Sequence, residues 1–431
     1  MKGINLLPKK VLICYLKNIY NGGKNMKKFL AIFLVMVFVF SAMVGCAPAT
    51  PADEAAPAAE TASTAEAEPT APTGTVKLGI VTAVTGNNNY VGERELEGAN
   101  LAVEQINAAG GVNGQMLELV VADEVDNLEM SVLATQELLT NDEISGIIGS
   151  VFSAWCLAAN PSVLEAEVPY MCLGSSSAVS KDKNPYTWQI RPLDTAQGKV
   201  IAEFVVNELG CKNPAIMYST SSTYLSLHDN TVAALAELGV TITEKNDFAF
   251  PNDESNYAPY VSQVLAGGFD CLIAMTDQAP GALVCQQAAA GGLTPDVMPL
   301  IGSPSYASEL TIANAGGAAN GWYSISDWVP NGNSETAEAF EKAYLEANPH
   351  REITDLNSVS AYDSVYVFAA AMEAAGTNTD REAINNAMQN LDFEGAMSHF
   401  SFHEDHSFAC SLFVTKNVDG LPQTVDAIRY R

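Results

Sequence analysis

The chain has 431 residues, 48% hydrophobic and 16% charged, with 21 basic against 50 acidic residues and a formal net charge of −29. A field of that sign repels nucleic acid and anionic lipid and disfavours anionic ligands, leaving cationic or zwitterionic solutes as the suited partners. The length exceeds what one small core serves and suits two lobes.

At the amino-terminal end, Lys27 and Lys28 precede an unbroken apolar run over 29–40, which SAMVGC follows at 41–46. A basic segment, an apolar segment and small residues before a cysteine describe a secretory signal. The run is too short for the about 20 apolar residues that span a bilayer. MVGC resembles a lipobox, which implies that Cys46 is diacylated, becomes the mature amino terminus and tethers the protein outside the cell membrane. The expected signal is 26–45, with Met26 the true start and 1–25 an upstream extension foreign to the native protein. From 46 to 74 the chain is Ala, Pro, Thr, Ser and Glu with almost no large apolar side chain. Such a segment cannot offset its ordering entropy, so it is expected to be a disordered tether. Seven basic residues and no acidic ones lie before Cys46, leaving 14 against 50 and a net charge of −36 on the mature chain.

The folded part is expected to begin near Thr75. An apolar strand over 76–81 is followed by a small-residue loop, 82–92, that carries Tyr90 to the strand's carboxyl end. A helix with Leu96, Ala99, Leu101, Ala102 and Ile106 on its apolar side stops at Gly110-Gly111, and a strand over 116–122 follows. In open parallel sheets ligands sit outside the carboxyl ends of such strands. The alternation continues with helix 127–140, strand 144–148, helix 157–165, and strands 169–173 and 187–191. A second series runs through helix 196–209, strand 215–218, helix 230–238, strand 240–248, helix 257–265, strand 271–275, helix 281–290, and strands 298–301 and 322–326. Alternation of this kind means parallel sheets covered by helices. The last third differs, with helices 336–347, 359–374 and 381–389, then strands 398–402, 411–415 and 424–429.

Thr85-Gly86, Tyr90, Gly92, Gly98, and Ile106-Asn107 followed by Gly110, Gly111 and Gly114 form the order T/S-G, Y-G, IN-x-x-GG-x-x-G. This stretch resembles the amino-terminal segment of the branched-chain amino acid (LivJ-type) solute-binding proteins of ABC importers, and the similarity extends over 75–431. The resemblance implies an α/β fold of the periplasmic binding protein type 1 kind, with two doubly wound parallel-sheet lobes joined by three hinge crossings. Lobe 1 would comprise 75–192 and 327–407, and lobe 2 would comprise 193–326 and 408–431. It also implies an extracytoplasmic receptor that closes on a small amino acid, branched-chain or related, and delivers it to an ABC permease.

Candidate ligand contacts follow from loops at strand ends. Ser153, in GSVFSA, sits where a helix N-cap belongs, so its hydroxyl and the free amides beside it could hold a carboxylate. The resemblance places Ser175 and Ser177, in GSSS, where a carbonyl and a hydroxyl meet the ligand's α-amino and α-carboxyl groups. Tyr90 would flank the ligand on this lobe, and Tyr224 resembles the family's second-lobe tyrosine although Leu225 replaces its glycine. The family glutamate that pairs with the ammonium group is missing from Gly302–Tyr306, GSPSY. A buried unpaired ammonium costs several kcal/mol, so Asp277 or Asp327 is expected to substitute, or the ligand lacks that group. Trp155, Tyr306 and Trp328 are aromatic residues beside these loops and could wall a side-chain pocket.

His399, His403 and His406 have spacing that would suit zinc on a helix, but Phe400, Phe402 and Phe408 alternate as in a strand, so no metal is expected. G-x-S-x-G, G-x-G-x-x-G, G-x4-G-K-[ST] and H-E-x-x-H are all missing from the sequence, so no enzyme and no cofactor are expected. The family's amino-terminal disulfide partners are absent, and Cys156, Cys172, Cys211, Cys271, Cys285 and Cys410 read as free buried thiols. Competing readings are a receptor for amide or urea-like solutes, a sensor's ligand-binding protein, and an exported hydrolase using a loop serine.

Overall fold

The computed structural model describes residues 73–330, 334–408 and 410–430. The expected signal, Cys46 and the tether lie outside the described residues. No described helix is long and apolar enough to cross a membrane.

Two sheets organise the chain. The first has strand order β2-β1-β3-β4-β5 and is parallel throughout: β1 (Thr75–Thr82), β2 (Met116–Asp123), β3 (Ile144–Ile148), β4 (Tyr170–Cys172) and β5 (Thr187–Gln189). Leu78, Ile80 and Val81 of β1 are fully buried, as expected where helices cover both faces of a parallel sheet. The covering helices are α1 (Asn89–Ala108), α2 (Leu128–Leu139), α3 (Ser153–Ala166) and the short α4 (Ser177–Lys181). Asn127 starts α2 by accepting from the amides of Glu129 and Met130.

The second sheet has order β14-β13-β10-β9-β8-β6-β7. Its parallel part is β6 (Pro214–Ser219), β7 (Asp247–Phe250), β8 (Cys271–Met275), β9 (Leu300–Gly302) and β10 (Tyr323–Ser326). β13 (Cys410–Val418) and β14 (Leu421–Tyr430) add an antiparallel edge, β13 pairing with β10. The helices here are α5 (Asp194–Glu203), which continues as a π turn over Phe204–Glu208, α6 (Ser222–Glu237), α7 (Ala258–Ala266), α8 (Gln278–Ala290) and α9 (Glu309–Ala315). The strand expected over 240–248 shrinks to β7. The Asn246 side chain accepts from the Thr243 amide (2.7 Å) and donates to the Pro214 carbonyl (2.9 Å), which folds 240–246 into a turn instead.

After β10 the chain returns to the first sheet. α10 (Glu335–Ala347), α11 (Leu356–Ala375) and α12 (Arg381–Met388) are followed by the small β11–β12 ribbon (Phe393–Glu394 with His399–Phe400). A capping box between Asp355 and Ser358 starts α11. α11 lies along α1 so closely that a Cβ on Gly98 would collide with the Ser358 carbonyl. Val359, Val365, Phe368 and Met372 of α11 are thereby fully buried.

Candidate functional site

Strand ends of both sheets converge on a cavity of about 60 Å³. From the first sheet it is lined by Asn88, Tyr90 and Val91 at the start of α1, by Val151 and Phe152 ahead of α3, and by Ser175 after β4. The second sheet contributes Thr223, Tyr224 and Leu227 of α6, Asp277 and Gln278 at the start of α8, and Pro304 and Ser305 after β9. Arg191, Asp194 and Gln197 line it where the chain first crosses between sheets, and Leu356 and Asn357 do so from the first turn of α11. The two sides are in contact. Tyr90 Oη donates to Gln278 Oε1 at 2.8 Å, and Arg94 of α1 pairs with Glu309 of α9. Both join groups held on opposite sheets, so the cleft is closed.

Of the expected site residues, Tyr90, Ser175, Tyr224 and Asp277 meet at this cavity. Asp277 accepts from Tyr224 Oη at 3.0 Å, and that hydroxyl also lies 3.2 Å from Ser305 Oγ. Burial raises the Asp277 carboxyl to about 6, more than the Tyr224 hydrogen bond lowers it. The same desolvation raises the Tyr90 and Tyr224 phenols well above their ordinary value, so both stay neutral donors.

Ser153 and Ser177 are buried but are not among the lining residues. Ser153 is the first residue of α3 rather than its cap. Its Oγ accepts from the Ser176 amide at 3.1 Å, bracing one serine loop against the other. Ser177 Oγ accepts from Lys181 Nζ at 3.1 Å, while Ser176 caps α4. The Ser175 carbonyl, expected to meet an ammonium group, accepts the Asp194 amide at 2.9 Å.

The aromatic wall expected from Trp155, Tyr306 and Trp328 does not form. Tyr306 is fully buried in the second-sheet core, stacked on Trp322 with centroids 5.1 Å apart, over a Gly302 whose lack of a Cβ makes room for its ring. Trp328 turns into the first-sheet core, donating from Nε1 to Thr354 Oγ1 at 3.0 Å and meeting Phe340 edge-on. Trp155 packs behind Phe152, with centroids 4.2 Å apart. Asp327 is committed elsewhere: its Oδ2 accepts from Arg191 Nε at 2.6 Å inside the hinge. Burial opposes the Arg191 charge, but Asp327 more than offsets it and raises the guanidinium pKa. The three carboxyl-terminal histidines are dispersed, His399 between Asp392 and Glu394, and His406 stacked on Trp188 at 3.8 Å.

The polar groups that face the cavity without partners were not singled out by the sequence. Asp194 is 1% exposed. The Ser175 and Ser226 hydroxyls stand near enough to favour its charged form, yet neither donates in hydrogen-bonding geometry, and both its oxygens are buried without a partner. Burial raises this carboxyl to about 7. Asn357 is likewise 1% exposed, with neither Oδ1 nor Nδ2 paired. Arg191 uses Nε on Asp327 and Nη1 on the Leu173 carbonyl, and no hydrogen bond from Nη2 is found among the described residues. Arg-Pro-Leu-Asp, directly after a strand and at a hinge crossing, was the available signal for two of these groups. Asn357 carries no such signal, lying inside a capping box.

Buried polar atoms are paired in the great majority of cases, and each leftover needs an explanation. Unpaired atoms such as Glu95 Oε1 and Asp327 Oδ1 lie elsewhere, but those of the cavity lining are a carboxylate and a primary amide, an arrangement that can take a ligand nitrogen carrying several hydrogens.

A family model for periplasmic binding protein matches residues 75–420. The Leu/Ile/Val-binding protein homolog 7 of Brucella melitensis is 26% identical over 344 residues, covering 73% of this chain and 83% of that one. LivJ of Streptococcus pneumoniae, a branched-chain amino acid transporter substrate-binding protein solved with isoleucine, superposes with a TM-score of 0.74 at 24% identity. The match covers 83% of this chain and all of that one. A solute-binding protein from R. palustris solved with benzoate gives a TM-score of 0.73 at 17% identity, covering 82% and 96% of the two chains.

Proposed function

The chain belongs to the periplasmic binding protein family, and from that premise we propose that it is the solute receptor of an ABC importer. It binds a small amino acid, branched-chain or related, between its lobes and delivers it to a permease. Cys46 is the lipid-bearing residue that keeps it at the outer face of the cell membrane. The observation that carries the ligand class is Asp194, a buried carboxylate with no partner at the cavity wall. With Asp277 opposite, it takes the place of the glutamate missing from 302–306 as counter-charge to an ammonium group. The ligand carboxylate is met by Arg191 and by the backbone amides at the start of α3, where Ser153 braces the loop from behind. Val91, Val151, Phe152, Leu227 and Leu356 supply the apolar wall. Ligand contacts to both lobes favour the closed state, and only that differential affinity drives closure.

Asn357 favours a second reading, since a primary amide with free donor and acceptor complements an amide or urea-like solute. Calorimetric titration with a panel of branched-chain amino acids, their α-amides, urea-like solutes and aromatic acids separates the two. Binding of amino acids that Asp194→Asn abolishes supports the first. Binding of neutral amides alone, unaffected by that change, supports the second. Binding of aromatic acids alone removes both.

A further inference from the structure

Cys156, in the first turns of α3, and Cys172, the last residue of β4, are both fully buried, and their sulfur atoms lie 2.6 Å apart. We propose that these two cysteines are joined by a disulfide in the exported protein, cross-linking the two loops that frame the first-lobe half of the cleft. The sulfurs are about 0.5 Å beyond the roughly 2.05 Å of a bonded pair and well inside the contact distance of unbonded ones, so closing the bond needs only a small shift of the two side chains. Each sulfur also touches its own loop: Cys156 Sγ lies 3.2 Å from the Ser150 carbonyl, and the Gly174 amide donates to Cys172 Sγ at 3.3 Å. The bond therefore holds the spacing across which Ser153 accepts from Ser176. All six cysteines among the described residues are buried and unbonded in the structure, and Cys285 and Cys410, in different parts of the second lobe, serve as references.

Burial holds the Cys172 thiol protonated, well above its ordinary pKa, and thiolate is the reactive form. The bond must form before the core closes, while the exported chain is still folding. The oxidant is a disulfide carried by an exported thiol oxidoreductase. One cysteine thiolate attacks that disulfide to give a mixed disulfide and releases one donor thiol. The other cysteine thiolate then displaces the second donor sulfur. The protein gains one S–S bond and loses two hydrogens, and the donor leaves as a dithiol. An extracytoplasmic address permits such bonds, and the inference does not depend on which solute binds.

The test is peptide mapping of the full chain, secreted by an oxidising host, alkylated in denaturant without reductant and cleaved after Glu165 and Glu167, which separate the two cysteines. The expected result is a linked pair of peptides lighter by two hydrogens, with Cys285 and Cys410 alkylated. Complete alkylation of both Cys156 and Cys172, or a link from either to Cys211 or Cys271, overturns the assignment. Dithiothreitol should lower the Tm of the wild-type protein by about 4 °C, from a closed loop of about 17 residues in a chain of this size. It should leave the Cys156→Ala/Cys172→Ala variant unmoved, and equal shifts in both proteins also overturn it.

Discussion

Around the cavity, the serine loops of the first lobe and the hinge segment treat their polar atoms in opposite ways. In the loops, Ser153 accepts from Ser176, Ser176 caps α4 and Ser177 accepts from Lys181, so the hydroxyls brace the wall from behind. At the hinge, Arg191 occupies Asp327 Oδ2 and leaves Oδ1 buried without a partner, and three residues further on Asp194 has both oxygens buried and unpaired. A hydroxyl-rich loop is thus weaker evidence of ligand contact than a carboxylate that the fold has desolvated and left alone, because the first satisfies itself and the second cannot.

The largest effect expected from breaking this contrast is at the hinge pair. Arg191→Met leaves Asp327 buried and uncompensated, and urea unfolding of the empty protein should show a loss of about 3–5 kcal/mol. A loss under about 1 kcal/mol would mean that water reaches Asp327 and the hinge is not the closed pair described. Next comes Asp194→Asn. Removing one charge-assisted contact of about 1.5–3 kcal/mol should weaken an ammonium ligand ten- to a hundredfold by calorimetry, with the Tm of the empty protein unchanged or higher.

Ser153→Ala should act the other way round. It strands the Ser176 amide and should lower the stability of the empty protein by about 1 kcal/mol, with affinity reduced less than by Asp194→Asn. A hundredfold loss of affinity at constant empty-state Tm would instead put this serine in direct contact with the ligand.

The smallest expected effect is a pH slope. Asp194 and Asp277 titrate near 7 and 6 in the folded protein, above the ordinary 3.8, because burial disfavours their charge. The stability they contribute when protonated is complete below about pH 4 and is lost as pH rises through 6 to 7, so the Tm of the empty protein should fall between pH 5 and 8. Glu124 and Asp363, raised by burial to about 7, add to that slope without touching the cavity. Affinity for an ammonium ligand should rise over the same interval, since it needs the ionised carboxylates. Asp194→Asn and Asp277→Asn should each flatten both curves, and parallel rather than opposed curves in the wild-type protein would count against an ammonium ligand.

The α/β alternation was legible because parallel strands buried on both faces read as apolar runs separated by helix-period segments. Tyr90 and Asp277 were legible as residues just past strand ends, where open sheets place ligands, and Tyr224 only through its resemblance to the family's second-lobe tyrosine. Tyr306 and Trp328 were not, since an aromatic residue at a strand end looks the same whether it turns toward the cleft or into the core. Their direction depends on Gly302 and Phe340, neighbours that sequence order does not reveal. The first part of the strand expected over 240–248 was lost to one side chain, Asn246, whose amide bonds outweigh the β-branched pattern around it. Asp194 and Asn357 were hidden for a different reason. What marks them is the lack of a partner, which only a complete set of neighbours can establish.

The packing of α11 on α1 also dictates the order in which the molecule can be assembled. Tyr366 donates to Gln105 across 261 residues of chain, and Gly98 is shaped to the Ser358 carbonyl. A ribosome that has delivered everything up to β10 has therefore supplied neither lobe in full: the first still lacks α11, with its many buried residues, and the second its β13–β14 edge. No single cut yields an autonomous half, so a truncated product stays open to proteases along its whole length, and the last hundred residues act as the clasp for both lobes at once.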